Sequence, residues 1–221
     1  MRSISIDKLK KFVLLEETDD KMKKPLQEIH TTEEFSVASN SYIVAIIYNS
    51  EDHGLNHTFG NVMDSILSIV KKSHNSVDEK YQIIFNRKEL LDLVTEQFKE
   101  LKALVKIEEK KITLHENEAI ARFDIDCNNL KMYVQTYTKV KYGGTGYAIT
   151  GKDIDVDFKQ SRWKALSSWK SGYDSQNLLD TLKFMTGYEQ ITFYAREKSI
   201  DPVRCEEVDR EIFLLPFRID D

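Results

Sequence analysis

The chain has 221 residues, 41% of them hydrophobic and 31% charged, with a formal net charge of −5. That composition supplies one large core or two cores of about 100 residues each and argues against general disorder. No apolar run nears the ~18 residues that span a bilayer, the opening residues lack a secretory leader's apolar run, and the two cysteines, Cys127 and Cys205, stand far apart, so free thiols in a reducing, cytoplasmic compartment are expected.

Along the chain, one pattern occurs three times: a short alternating stretch, an Asp or Asn, then apolar residues at helical spacing. First, Ser3-Ile4-Ser5-Ile6-Asp7 leads into Leu9, Phe12 and Val13, followed by strand-like Glu34–Ser39 and Tyr42–Tyr48. A helix over Phe59–Lys72, with Val62, Ile66, Ile69 and Val70, then reads as an insertion around residues 50–78. Second, Tyr81–Asn86 leads into Leu90, Leu91, Val94 and Phe98, with strands expected over Ala103–Ile107, Lys111–His115 and Ala119–Ile125. Asn128–Ile149 reads as a hairpin, Asp153–Phe158 as a strand, and Lys159–Lys170, with Trp163, Leu166 and Trp169, as a helix. Third, Ser171–Asp174 leads into Leu178, Leu179, Leu182 and Met185, then strands over Gln190–Arg196, Pro202–Glu206 and Glu211–Ile219. Asp7, Asn86 and Asp174 stand where a helix N-cap belongs, their side-chain oxygens placed to accept from unpaired backbone amides.

The expected fold is therefore α+β, built from duplicated strand–helix–three-strand units about 80–90 residues apart, a period that no common solenoid uses. Two domains are expected: 1–127, with the helical insertion, and a shortened 128–221, divided at the plain turn Cys127-Asn128-Asn129.

Charge is uneven. Cys127–Lys152 holds four lysines and no acid, and Phe158–Ser171 four basic residues and no acid. Such local faces can hold a polyanion although the whole is acidic, or can simply be solvated surface. Catalytic motifs do not assemble. Gly143-Gly144-Thr145-Gly146 is followed by no helix bearing Lys-Ser/Thr, which excludes a Walker loop and leaves a hairpin tip. His53 and His57 are four apart, but Gly54 intervenes and the zinc-helix glutamate is missing. Asp153, Asp155 and Asp157 alternate with Ile154, Val156 and Phe158, so three carboxylates share one strand face. They could bind a divalent ion or be the wet side of a half-buried strand. No catalytic residue, metal ligand or cofactor is assigned.

Two stretches carry a resemblance. Val37-Ala38-Ser39-Asn40-Ser41-Tyr42-Ile43-Val44-Ala45 resembles the V-A-T-D-G-H-R-L-A turn of the middle domain of bacterial DNA polymerase III beta sliding clamps, with Asn40, Ser41, Tyr42 and Ile43 as departures. Gln82–Arg122 resembles the strand–helix–three-strand half that completes that domain. Gly172–Ile219 resembles the final half of the clamp's last domain, with Leu215-Pro216-Phe217-Arg218-Ile219 standing where the family ends in a Met-Pro-Met-Arg-Leu-like strand.

The resemblance implies a non-enzymatic, clamp-type fold of two domains and no cofactor. It implies a partner-peptide pocket with Ser39, Ser41, Tyr42, Ile43 and Val44 on one side and Leu214, Leu215, Pro216, Phe217, Arg218 and Ile219 on the other. DNA polymerase or other replication proteins would dock there by short peptide motifs. It also implies duplex DNA held without sequence preference through phosphates, with Lys8, Lys11, Lys88, Lys99, Lys159, Arg162, Lys170 and Lys183 facing it. Six domains in a closed ring would need a homo-trimer. A clamp-like adaptor or decoy that encircles nothing, and a metal-dependent nucleic-acid enzyme using Asp153, Asp155 and Asp157, stay open beside this reading.

Overall fold

A computed structural model describes residues 6–14, 24–31, 35–48, 81–108, 119–138, 146–160, 168–196, 201–217 and 219. The helix expected over 59–72, His53, His57, the strand expected over 111–115 and Gly143–Thr145 lie outside them. Among the described residues no helix is long and apolar enough to cross a membrane.

The first segment forms a 3-10 helix over Ile6–Phe12. Leu9 and Phe12 are buried three positions apart, which matches three residues per turn better than an α-helical stripe. Asp7 lies within this turn rather than capping it, and pairs with Lys10 at 2.7 Å. A second 3-10 turn, Lys24–Gln27, precedes strands β1 (His30–Thr31), β2 (Phe35–Ser39) and β3 (Ile43–Tyr48).

The second segment is β4 (Tyr81–Asn86), helix α1 (Arg87–Glu108), β5 (Ala119–Asp126), β6 (Lys131–Thr138) and β7 (Lys152–Gln160). Asn86 caps α1, its Oδ1 accepting the Glu89 N–H at 3.0 Å. The strand expected over Ala103–Ile107 is instead the last part of α1. Leu90, Val94, Phe98, Leu101 and Val105 are all buried, a stripe at i, i+4, i+8, i+11 and i+15 that keeps one face on the core. Gln97 is buried yet satisfied: its amide donates to the carbonyls of Val134 and Thr150 and accepts from Thr136 Oγ1, pinning α1 to β6 with hydrogen bonds that offset its desolvation.

The third segment is β8 (Ser168–Asp174), α2 (Ser175–Phe184), β9 (Gln190–Ala195), β10 (Val203–Glu207) and β11 (Arg210–Leu214). Asp174 caps α2 through a 2.7 Å bond from the Asn177 N–H. The helix expected over Lys159–Lys170 is absent at both ends: Lys159 belongs to β7, and Trp169 and Lys170 belong to β8. Trp169 and Ser171 are buried while Ser168 and Lys170 are exposed, a period of two that β5 satisfies by pairing along the whole of β8. Residues 161–167, with Arg162 and Trp163, lie outside the described set.

One sheet orders these strands β1-β2-β3-β11-β10-β9-β4-β7-β6-β5-β8. β7 bends between two neighbours: Lys152–Asp155 pair with β6, and Val156–Gln160 pair with β4. The two complete units exchange opening strands. β4 lies between β7 of its own unit and β9 of the other. β8 lies beside β5 of the other unit and reaches its own unit's tail through a Gly172–Phe217 bridge. Cys127 and Asn128 fall between β5 and β6, which pair over their full length, so strands from both sides of that turn alternate in the sheet. The helices pack on each other and on the inner face, where Phe85, Phe123, Tyr173 and Phe193 meet ring to ring. A second, smaller core forms on the other side of β2, β3 and β11 from Leu26, Phe35, Val37, Val44, Ile46 and Phe213.

Candidate functional site

The β2–β3 turn is built by its own side chains. Asn40 Oδ1 accepts the N–H groups of Tyr42 and Ile43, both at 3.0 Å, and Ser39 Oγ accepts that of Ser41 at 3.3 Å. Ser41 sits at φ 78°, a left-handed conformation that glycine adopts more cheaply. The asparagine also reaches across 137 positions: its Nδ2 donates to Asn177 Oδ1 at 3.1 Å, tying the turn to the start of α2.

Beside this turn runs the end of the chain's last strand. β11 pairs with β3 from Arg210↔Ile47 to Leu214↔Ile43, and the Leu215 N–H continues the ladder to the Tyr42 carbonyl at 2.9 Å. Pro216 has no N–H to continue it, and the next donor, Phe217 N–H, turns to the Gly172 carbonyl at 2.7 Å. The rings of Tyr42 and Phe217 then stack, centroids 5.7 Å apart and 13° from parallel. Gly172 is required by this approach, since a Cβ there would stand 2.9 Å from Ile219 Cγ1 and 3.1 Å from Ile120 Cγ2.

The two expected pocket walls thus lie side by side. Ser39, Ile43, Val44 and Leu214 are buried within the ladder. Ser41 and Tyr42 are exposed, while Leu215, Pro216, Phe217 and Ile219 are half-buried; Arg218 lies outside the described residues. Asn40, Gly172 and Asn177 complete the junction and were not among the expected site residues. Gly172 carries a readable signal, a glycine inside a strand pattern; Asn177 carries none. Open cavities lie elsewhere among the described residues. One, of about 410 Å³, has Arg122, Tyr137 and Tyr147 in its wall; another lies between β9 and β10.

On the other side of β11, charge is buried. Glu211 is 1% exposed and accepts from Tyr48 Oη at 2.6 Å and from Arg204 at 3.2 Å. Burial first, then the Glu211 charge, pushes the Tyr48 hydroxyl's pKa far above its ordinary value. Burial likewise pushes the Cys205 thiol up.

The expected DNA-facing residues Lys8, Lys11, Lys88, Lys99, Lys159, Lys170 and Lys183 are all exposed; Arg162 lies outside the described residues. Lys88, Lys99 and Lys102 share a stripe of α1, with Glu89, Glu96 and Glu100 on the neighbouring stripe. Within α2, Lys183 is the one fully exposed residue. Asp153, Asp155 and Asp157 point outward from β7 as the alternation requires. Asp155 bonds to Lys131, which raises that lysine's pKa, and Asp157 lies 3.8 Å from Lys159. Among the described residues no three His, Cys, Asp or Glu side chains converge as a metal site would need.

No family model and no curated protein matches the chain. Solved structures do. A DNA polymerase sliding clamp from Pseudomonas aeruginosa superposes with a TM-score of 0.59 at 13% identity, covering 97% of this chain and 63% of that one. The clamp from Caulobacter crescentus gives 0.58 at 12% identity, over 97% and 62%. A DNA polymerase III beta subunit from Bartonella birtlesii, bound to griselimycin, gives 0.58 at 10% identity, over 96% and 63%. The chain has the sliding-clamp fold and spans somewhat under two thirds of the length of these clamps.

Proposed function

We propose that this protein is a divergent clamp-like processivity factor, which acts by holding partners rather than by chemistry. The observation that carries the reading is the meeting of Ser39–Val44 with Leu214–Phe217, joined by the Leu215–Tyr42 hydrogen bond and the Tyr42–Phe217 stack. Two chain segments more than 160 positions apart build one surface, and its exposed part is a small apolar and aromatic patch. Such a patch suits a short hydrophobic peptide of a polymerase or another replication protein. The clamp likeness supports a homo-oligomeric ring around duplex DNA, with Lys8, Lys11, Lys88, Lys99, Lys159, Arg162, Lys170 and Lys183 toward the phosphates. Within this reading, residues 81–219 form one complete domain of two exchanged units, and 6–48 the matching half of another.

Loading onto a nicked circular duplex tests it. Retention on the circle and release when the circle is cut would support a ring, and sedimentation should show an oligomer. Binding should weaken steeply with salt, because phosphate contacts release counterions.

A second reading is an adaptor that binds replication proteins without encircling DNA. It is favoured by α2, which exposes only Lys183 fully, and by the carboxylate stripe beside the lysines of α1. A strict monomer that is never retained on circles, yet binds polymerase-derived peptides, would select it.

A further inference from the structure

The Tyr42–Phe217 stack has two supports, and both stand on one short run of chain. Phe217 is held by its N–H bond to the Gly172 carbonyl within β8. Tyr42 is held through Asn40, whose Oδ1 accepts the Tyr42 and Ile43 N–H groups and whose Nδ2 donates to Asn177 Oδ1 at 3.1 Å. Gly172 and Asn177 flank the Asp174 cap that starts α2.

Asn177 is an unfavourable residue for its place. An asparagine is a poor helix former, and burying its amide costs free energy unless the amide is bonded. Asn177 is nonetheless 8% exposed, next to the buried pair Leu178 and Leu179. It is also fixed along the backbone. Its N–H donates to Asp174 Oδ1 at 2.7 Å, and its carbonyl accepts the Thr181 hydroxyl at 2.9 Å. A side chain rooted in this way is a rigid post for a loop.

The loop needs one. Ser41 holds φ at 78°, a conformation that a serine keeps only when its surroundings hold it. Asn40 is placed to do so, since a carboxamide can satisfy two backbone donors with its oxygen and still has N–H groups to give. The turn it resembles carries aspartate there, which when ionised accepts but cannot donate. The change to asparagine supplies the group that Asn177 receives.

We propose that Asn177 is a positioning residue of the docking patch, acting through Asn40 to fix the backbone from which the Tyr42 ring meets Phe217. Its consequence for binding rests on the docking reading above; its geometry rests on the hydrogen bonds alone. The two rings are kept stacked before a partner arrives, so binding does not have to order the turn.

The test uses the full chain with Asn177→Leu, Asn40→Ala and the two combined. One readout is the proton–proton NMR contact between the Tyr42 and Phe217 rings in the free protein. The other is affinity for a capped leucine–phenylalanine peptide flanked by lysines for solubility. Leucine keeps the size of asparagine and removes its acceptor. Asn177→Leu is expected to lose the ring contact and about tenfold in affinity, measured well below the unfolding transition so that lost stability does not enter. Added to Asn40→Ala, it is expected to change neither readout further, because the post then has nothing to hold. Asn177→Ser, whose hydroxyl falls short of Asn40, replaces the leucine variant if that chain does not fold.

An unchanged ring contact in the Asn177 variant would overturn the proposal. So would unchanged affinity where the parent binds, or a full further loss in the combined variant, which would mark a general weakening of α2. A parent chain that binds no such peptide, with the ring contact still lost in the variant, would count against docking at this patch and for the positioning of the ring.

Discussion

β11 and β3 lie more than 160 positions apart and pair over five residues, whereas β9 and β10, close neighbours in the chain, pair over one. Chain proximity makes a hairpin cheap to close, so loop entropy would rank the two seams the other way. The difference comes from the side chains. β3 and β11 are buried on both faces, one against the main core and one against the small core around Phe213, so parting them would wet two apolar layers. β9 and β10 bury one face, and on the other Arg204, Glu206 and Tyr194 satisfy one another or solvent. A seam closes tightly where burial demands it.

The largest expected effect tests that asymmetry directly. Phe213→Ala at the tight seam should cost about 3–5 kcal/mol, because it empties the centre of the small core. Thr192→Ala at the open seam should change stability by no more than about 0.5 kcal/mol. Equal losses in denaturant unfolding would break the comparison.

Next in size, Tyr48→Phe removes a donor from buried Glu211 and should cost about 1.5–3 kcal/mol near neutral pH. It should also change the alkaline limb. Tyr48 holds its proton in the folded state far above its unfolded pKa. Its contribution is therefore complete below the unfolded value of about 10 and is lost as pH rises beyond it. Buried Tyr173 is pushed up in the same direction, so the variant should lose stability above pH 10 less steeply than the parent, with a residual slope. Identical slopes in unfolding midpoints against pH would refute this.

Gly172→Ala should cost about 1–3 kcal/mol by overpacking against Ile219 and Ile120. It should free the tail after Leu214 to proteases before the rest of the fold. The smallest effect is a gain: Ser41→Gly relieves a left-handed serine and should stabilise by up to about 1 kcal/mol in thermal unfolding.

Much of this architecture is legible in the chain. Asn86 and Asp174 announce their helices because a cap is a local bond, and β7 is legible because Ile154 and Val156 alternate with aspartates. The β2–β3 turn and the tail strand were each legible as strand pattern, but only the family resemblance set them side by side. What failed was long-range. The tryptophan-bearing stretch reads as a helix until β5 supplies a partner for Trp169, and Ala103–Ile107 reads as a strand until α1 is seen to need Val105 on its buried face. The sparse pairing of β9 with β10 left no trace in the sequence, because strand pairing is set by contacts between segments and not by the local pattern of either strand. Asn177 was invisible for the same reason: its role is a contact 137 positions away.

Cys205 occupies the middle of β10, between the tight seam and the open one, and is fully buried with its thiol held protonated by that burial. An alkylating reagent reaches such a sulfur only when the strand lifts away. Cys127, half-buried in the β5–β6 turn, offers a more accessible thiol in the same molecule. The ratio of the two labelling rates would therefore count how often β10 leaves the sheet. The protein carries its own clock for that event.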